Sequence, residues 1–148
     1  MSKIVMRFCI LLIVLIFSSV GHAGSLNISI DSKSVHTGEG KIAFLYFDTK
    51  GEALGAFQIE FTYNAANIDV VSVESGDSLY FEDLNSKIDG SKGIIKLNAF
   101  QGLSMDKPVG NILLAKIRYK QKNGLGGEIF QSMRLEFFTP QGEMIPVQ

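Results

Sequence analysis

Tryptophan is absent from this chain of 148 residues, cysteine occurs once, histidine twice and proline three times. Two of these scarce residues, Cys9 and His22, lie in an N-terminal stretch with the marks of an export signal. Lys3 and Arg7 supply a positive start, Phe8 to Phe17 is an unbroken apolar run, and Gly21-His22-Ala23 places small residues where a signal peptidase cuts. The run stops at Ser18-Ser19, short of the roughly 20 apolar residues that a spanning helix needs. Residues 1–23 are therefore expected to be a cleaved signal peptide, leaving a mature domain of residues 24–148 that is secreted, periplasmic or extracellular, with no membrane span. Cleavage removes two cations and no acid, so 12 basic and 15 acidic side chains remain, a formal net charge of −3.

These shortages exclude whole classes of function. Without cysteine the mature domain has no thiol nucleophile, disulfide framework or Cys-rich zinc site, and with His36 as its only histidine it has no two-His metal site. Its scattered cations make no basic face for a nucleic acid backbone. No enzyme is expected. A length of 125 residues suits one core and is too short for two ordinary domains.

What is abundant is alternation with period two. In Phe57-Gln58-Ile59-Glu60-Phe61-Thr62-Tyr63-Asn64 the apolar side chains fall on one side and the polar ones on the other, the pattern of a strand with one buried face. A slip of one residue would invert that set, so the register is strongly specified. Further strands are predicted at Leu26–Ile30, Lys41–Asp48, Ile68–Glu74, Ser86–Ile88, Gly93–Phe100, Asn111–Gln121, Met133–Phe137 and Met144–Val147. Lys41–Asp48 is apolar on both faces and reads as central or doubly covered; Met133, Leu135 and Phe137 are taken as the inward set of their strand. Asp89-Gly90-Ser91-Lys92 reads as a hairpin turn. Eight or nine short strands argue for an all-β, antiparallel β-sandwich, because one sheet of that size would leave a face unburied.

From Leu54 onward the chain resembles a cohesin domain, the module that grips a dockerin in cellulosome-type assemblies for polysaccharide catabolism. Leu54 to Asn64 is similar to that family's G-x-Q-x-x-L-x-Y-D strand, and Ile68 to Asp77 to its L-E-V-x-S-V-x-x-G-D. Gly93 to Phe100 resembles G-x-I-x-I-A-F, and Gly110 to Lys120 resembles G-x-L-A-x-I-x-F-K. The ending, Pro140 to Val147, is also similar. Asn64 stands where the family usually has Asp, and Ala65-Ala66 replaces a proline corner.

The resemblance implies a protein–protein binding module whose partner, a calcium-loaded dockerin-like module or another extracellular protein, lies on the outer face of the sheet holding Phe57–Asn64. The residues implied there are Gln58, Glu60, Thr62, Lys96, Asn98, Arg134 and Glu136. The competing reading is a polysaccharide-binding module of the same architecture, with Tyr80 and Phe81 as its stacking rings and Tyr46 a further aromatic to weigh. A linear array of exposed rings would favour sugar, and a flat polar face would favour protein. No resident cofactor is expected, although Asp83, Asn85 and Asp89 leave room for a structural calcium. Glu82 with Asp83, Glu60 with Glu136, and Ser104-Met105-Asp106-Lys107 are candidate catalytic sets that the sequence does not support: no cleft is legible, and the companion motifs of S-x-x-K enzymes are missing. Because the chain stops directly after its last strand, it is not expected to act as a multi-copy scaffold.

Overall fold

The computed structural model describes residues 23–31, 40–77, 79–81, 83–101, 107–122 and 129–148. The expected signal peptide therefore lies outside the described residues, apart from Ala23, as do His36, Glu82 and Ser104–Asp106.

Among the described residues the chain forms strands and no helix: β1 (Ser25–Asp31), β2 (Lys41–Asp48), β3 (Ala56–Tyr63), β4 (Ile68–Ser75), β5 (Asn85–Asp89), β6 (Ile94–Phe100), β7 (Asn111–Gln121), β8 (Phe130–Phe138) and β9 (Met144–Ile145). They make two antiparallel sheets, a four-stranded one ordered β1-β2-β7-β4 and a five-stranded one ordered β5-β6-β3-β8-β9. The fold is the β-sandwich that alternation predicts, in the jelly-roll form that the resemblance to cohesins implies. Phe57, Ile59 and Phe61 of β3 are 2% exposed or less and Tyr63 is 8% exposed, so one face of this strand is core along its whole length. Ala43, Leu45 and Phe47 of β2 face them from the other sheet.

Aromatic contacts tie the layers together. Phe47 of β2 stacks on Phe137 of β8 with centroids 3.7 Å apart, and Tyr119 of β7 meets Phe130 of β8 edge-to-face at 5.6 Å. Gly93 ends the β5–β6 turn with φ 64°, where a Cβ would collide with the Tyr63 carbonyl. That close approach lets the Tyr63 N–H donate to the Gly93 carbonyl at 2.8 Å.

One expectation needs correction. Met133 is not an inward residue: it is 60% exposed, because the register of β8 shifts there. Glu60 pairs with Arg134 but Phe61 pairs with Ser132, which leaves Met133 as the extra residue of a bulge. The inward parity therefore changes along β8, from Leu135 and Phe137 on one side of the bulge to Phe130 on the other. β2 is central, one of the two readings its pattern allowed. Its second set of apolar side chains, Ile42, Phe44 and Tyr46, stands half-buried on the side away from the core.

Candidate partner-binding face

The outer face of the five-stranded sheet follows from register. In the first row across the strands Asn85 of β5, Asn98 of β6, Gln58 of β3 and Glu136 of β8 are neighbours. In the second, Lys87, Lys96, Glu60 and Arg134 stand side by side, and in the third Ile94, Thr62 and Gln131. All seven residues singled out from the sequence therefore share the outer face of one sheet. Adjacent strands lie about 4.8 Å apart and alternate residues about 6.7 Å, so these rows cover a patch roughly 15 Å on a side.

Charge on this patch is neutralised locally. The Lys96 ammonium donates to Glu60 Oε2 at 2.8 Å, and Arg134 grips Glu136 Oε1 through Nε at 2.8 Å and Nη2 at 2.7 Å. Lys96 and Arg134 remain more than half exposed at the side chain. Exposed pairs of this kind contribute about 0–1 kcal/mol to stability, so the fold does not depend on them. They hold charged heads in fixed positions on the surface. Gln58, Asn98 and Thr62 have no side-chain hydrogen-bond partner among the described residues, leaving their donors and acceptors free. Glu60 and Glu136 are each held by a cation on the outer face of the sheet.

An apolar row borders the polar ones and was missed in the sequence. Phe100 of β6 opposes Ala56 of β3, Ala56 opposes Phe138 of β8, and Phe138 opposes Met144 of β9. Phe100 is 65% and Met144 63% exposed. The signal was parity: Phe100 shares the parity of Lys96 and Asn98, and Phe138 that of Glu136, so both had to point outward with them.

The alternative sugar platform at Tyr80 and Phe81 is corrected. Phe81 is 1% exposed and sits edge-to-face on Phe57 at 5.2 Å, while Tyr80 packs against the core. This loop is a cap over one end of the sandwich, held by Ser75 Oγ donating to the Phe81 carbonyl at 2.9 Å. The oxygens considered for calcium do not converge. Asn85 and Asp89 end the same strand about 13 Å apart, far beyond one coordination sphere. Asp89 Oδ1 instead accepts from Ser91 Oγ at 2.7 Å and from the Lys92 N–H, which together hold its carboxyl below the ordinary range.

No family model and no curated protein sequence matches the chain. Solved structures do. A cohesin module from a family 33 glycoside hydrolase of Clostridium perfringens superposes with a TM-score of 0.68 at 17% identity, covering 85% of this chain and 90% of that one. A type II cohesin from Bacteroides cellulosolvens gives 0.67 at 16% identity, covering 82% and 91%. A type I cohesin in complex with a dockerin, from Clostridium thermocellum, gives 0.61 at 12% identity, covering 84% and 87%. At these identities the likeness speaks for architecture, and over more than four-fifths of its length this chain has the cohesin fold.

Proposed function

We propose that the protein is an exported, non-catalytic binding module that docks another protein on the outer face of β5, β6, β3 and β8. The observation that carries this reading is the face itself: free amides, two ion pairs and a bordering apolar row that includes the exposed Phe100 and Met144 lie together on one face of the sheet. Mixed surfaces with an apolar portion and a charged, hydrogen-bonding remainder suit protein partners. A structure of the same fold has been solved with a dockerin bound, which supports a dockerin-like helical module, calcium-loaded, as the partner. Export accords with the N-terminal signal, and no helix among the described residues is long and apolar enough to cross a membrane.

The test is capture from the host's secreted fraction by the domain of residues 24–148. An exchange of Glu60→Lys with Lys96→Glu keeps the ion pair but reverses its polarity, so the melting temperature should hold while capture falls at least tenfold. Phe100→Asp should act in the same way. Capture that survives both changes moves the site off this face. A chelator should abolish capture if the partner is calcium-loaded.

A further inference from the structure

The two sheets end in four edge strands, β1, β4, β5 and β9. An edge offers its unpaired N–H and C=O groups to any further strand unless something blunts it. Three of these edges are blunted. β5 has five residues and carries Lys87 and Asp89, β9 has two residues, and β4 is interrupted by a bulge that leaves Val71 out of the register. β1 has none of these devices. Its seven residues pair with β2 without a register shift, it contains no proline and no cation, and its only charge is Asp31 at the far end.

The open backbone groups of β1 can be assigned. Gly24 donates its N–H to the Pro146 carbonyl and accepts the Gln148 N–H on its own carbonyl, so neither group is spent on β2. Alternate residues of a strand turn these groups to the same side, so those of Leu26 and Ile28 also point away from β2, where no strand pairs with them among the described residues. The core is open along the same edge. Leu26 and Ile28 pack against it yet stay half-buried, whereas Ala43, Leu45 and Phe47 on the neighbouring strand are 1% exposed or less.

We propose that a second copy of this chain pairs with β1, antiparallel and about a two-fold axis, joining the two four-stranded sheets into one. The pattern of the strand argues for a copy of itself. With Ile28 opposite Ile28 of the second copy, Leu26 falls opposite Ile30, Asn27 opposite Ser29, and Ser25 opposite Asp31. Apolar then meets apolar, amide meets hydroxyl, and no two like charges meet. This register also sets the open groups of Leu26 and Ile28 against open groups of the second copy, for about six backbone hydrogen bonds in all. Asn27 and Ser29 are exposed, with side chains unbonded among the described residues, and can bond across the junction. One strand pair is a small interface, so the dimer is of the weak, concentration-dependent class. It uses none of the residues of the proposed docking face, which belongs to the other sheet, so one dimer carries two such faces.

Sedimentation velocity of the domain of residues 24–148, with the protein raised to about 1 mM to reach weak association, tests this. The average mass should climb toward that of the dimer. Charges placed at the exposed positions 27 and 29 leave the fold intact and read the register. Asn27→Lys with Ser29→Lys sets like charges opposite each other twice and should weaken dimerisation about tenfold, whereas Asn27→Lys with Ser29→Glu sets opposite charges there and should dimerise at least as well as the parent. Amide hydrogen exchange of the parent needs no variant: the Ile28 N–H should exchange several times more slowly in concentrated than in dilute protein, while the amides of β5, an edge that stays unpaired, should not change. A monomer at every concentration, dimerisation that the two lysines leave untouched or that the Lys–Glu pair also abolishes, or Ile28 exchange that ignores concentration overturns the proposal.

Discussion

Phe61 and Thr62 are adjacent in sequence and opposite in consequence. Phe61 is fully buried between the sheets, near Phe130, whereas Thr62 is half-buried on the outer face. Phe61→Ala leaves a cavity that the stiff neighbouring strands cannot close, so about 3–5 kcal/mol of stability should be lost in chemical denaturation. Thr62→Ala should stay within about 0.5 kcal/mol. Equal losses would mean that the face assignment of β3 is wrong. Tyr119 presents a different problem, because its ring is buried while its hydroxyl has no partner among the described residues. Burial raises the phenol above its ordinary value. A raised folded-state value means that the contribution to stability is complete below about pH 10 and is lost as pH climbs through the folded value. Tyr63 is pushed the same way, first by burial and then by the charges of Asp69 and Asp89. Tyr119→Phe removes one such group together with an unpaired buried hydroxyl. It should therefore be at least as stable as the parent at pH 7 and should unfold at a higher pH in an alkaline titration. A loss of more than about 1 kcal/mol at neutral pH would reveal a bonded hydroxyl.

At the scale of the element, the β8 bulge separates what was legible in the sequence from what was not. Strand positions and the inward set of β3 follow from strict alternation, which a sequence displays openly, whereas the shared outer face of the seven candidate residues rests on the resemblance, because alternation within a strand does not say which strands pair. A bulge breaks alternation without any composition mark, so alternation alone places Met133 in the core. The trace it leaves is a change of parity, since Phe130 is even-numbered and inward while Leu135 and Phe137 are odd-numbered and inward. The apolar row escaped for another reason: it is assembled from β3, β6, β8 and β9, and only pairing reveals that Phe100 and Met144 lie in line. Deleting Met133 tests the bulge directly. On either side of it the pairing is regular, so removal would join Arg134 to Ser132 in continuous register with Glu60 and Phe61. The deletion should fold, with a melting temperature within a few degrees of the parent. Deleting Leu135 instead would drive Phe137 out of the core and should unfold the domain; if the two deletions are equally disruptive, the bulge is not where the register places it.

At the scale of the whole molecule, the two ends of the described chain close on each other. The Gly24 N–H donates to the Pro146 carbonyl at 2.8 Å, the Gln148 N–H donates back to the Gly24 carbonyl at 3.1 Å, and Gly24 and Val147 form a parallel bridge. Gly24 is buried, and a Cβ there would run into the ring of Phe47, which is itself stacked on Phe137 in the core. Only glycine fits at this crossing, so the sandwich begins at the residue that follows the expected cleavage point. A peptide bond next to a buried, doubly hydrogen-bonded residue is out of reach of a protease in the folded domain, so cleavage at the expected point would have to precede closure of the sheets. N-terminal sequencing of the exported protein should accordingly read Gly24 first, or a residue next to it; Met1 would refute cleavage. The closure itself is tested by length. The domain of residues 24–148 should melt as a single cooperative transition, and one of residues 26–148, which lacks the bridge and both hydrogen bonds, should melt several degrees lower. Identical melting curves would show that β9 and the C-terminal residues hold to β8 without help from Gly24.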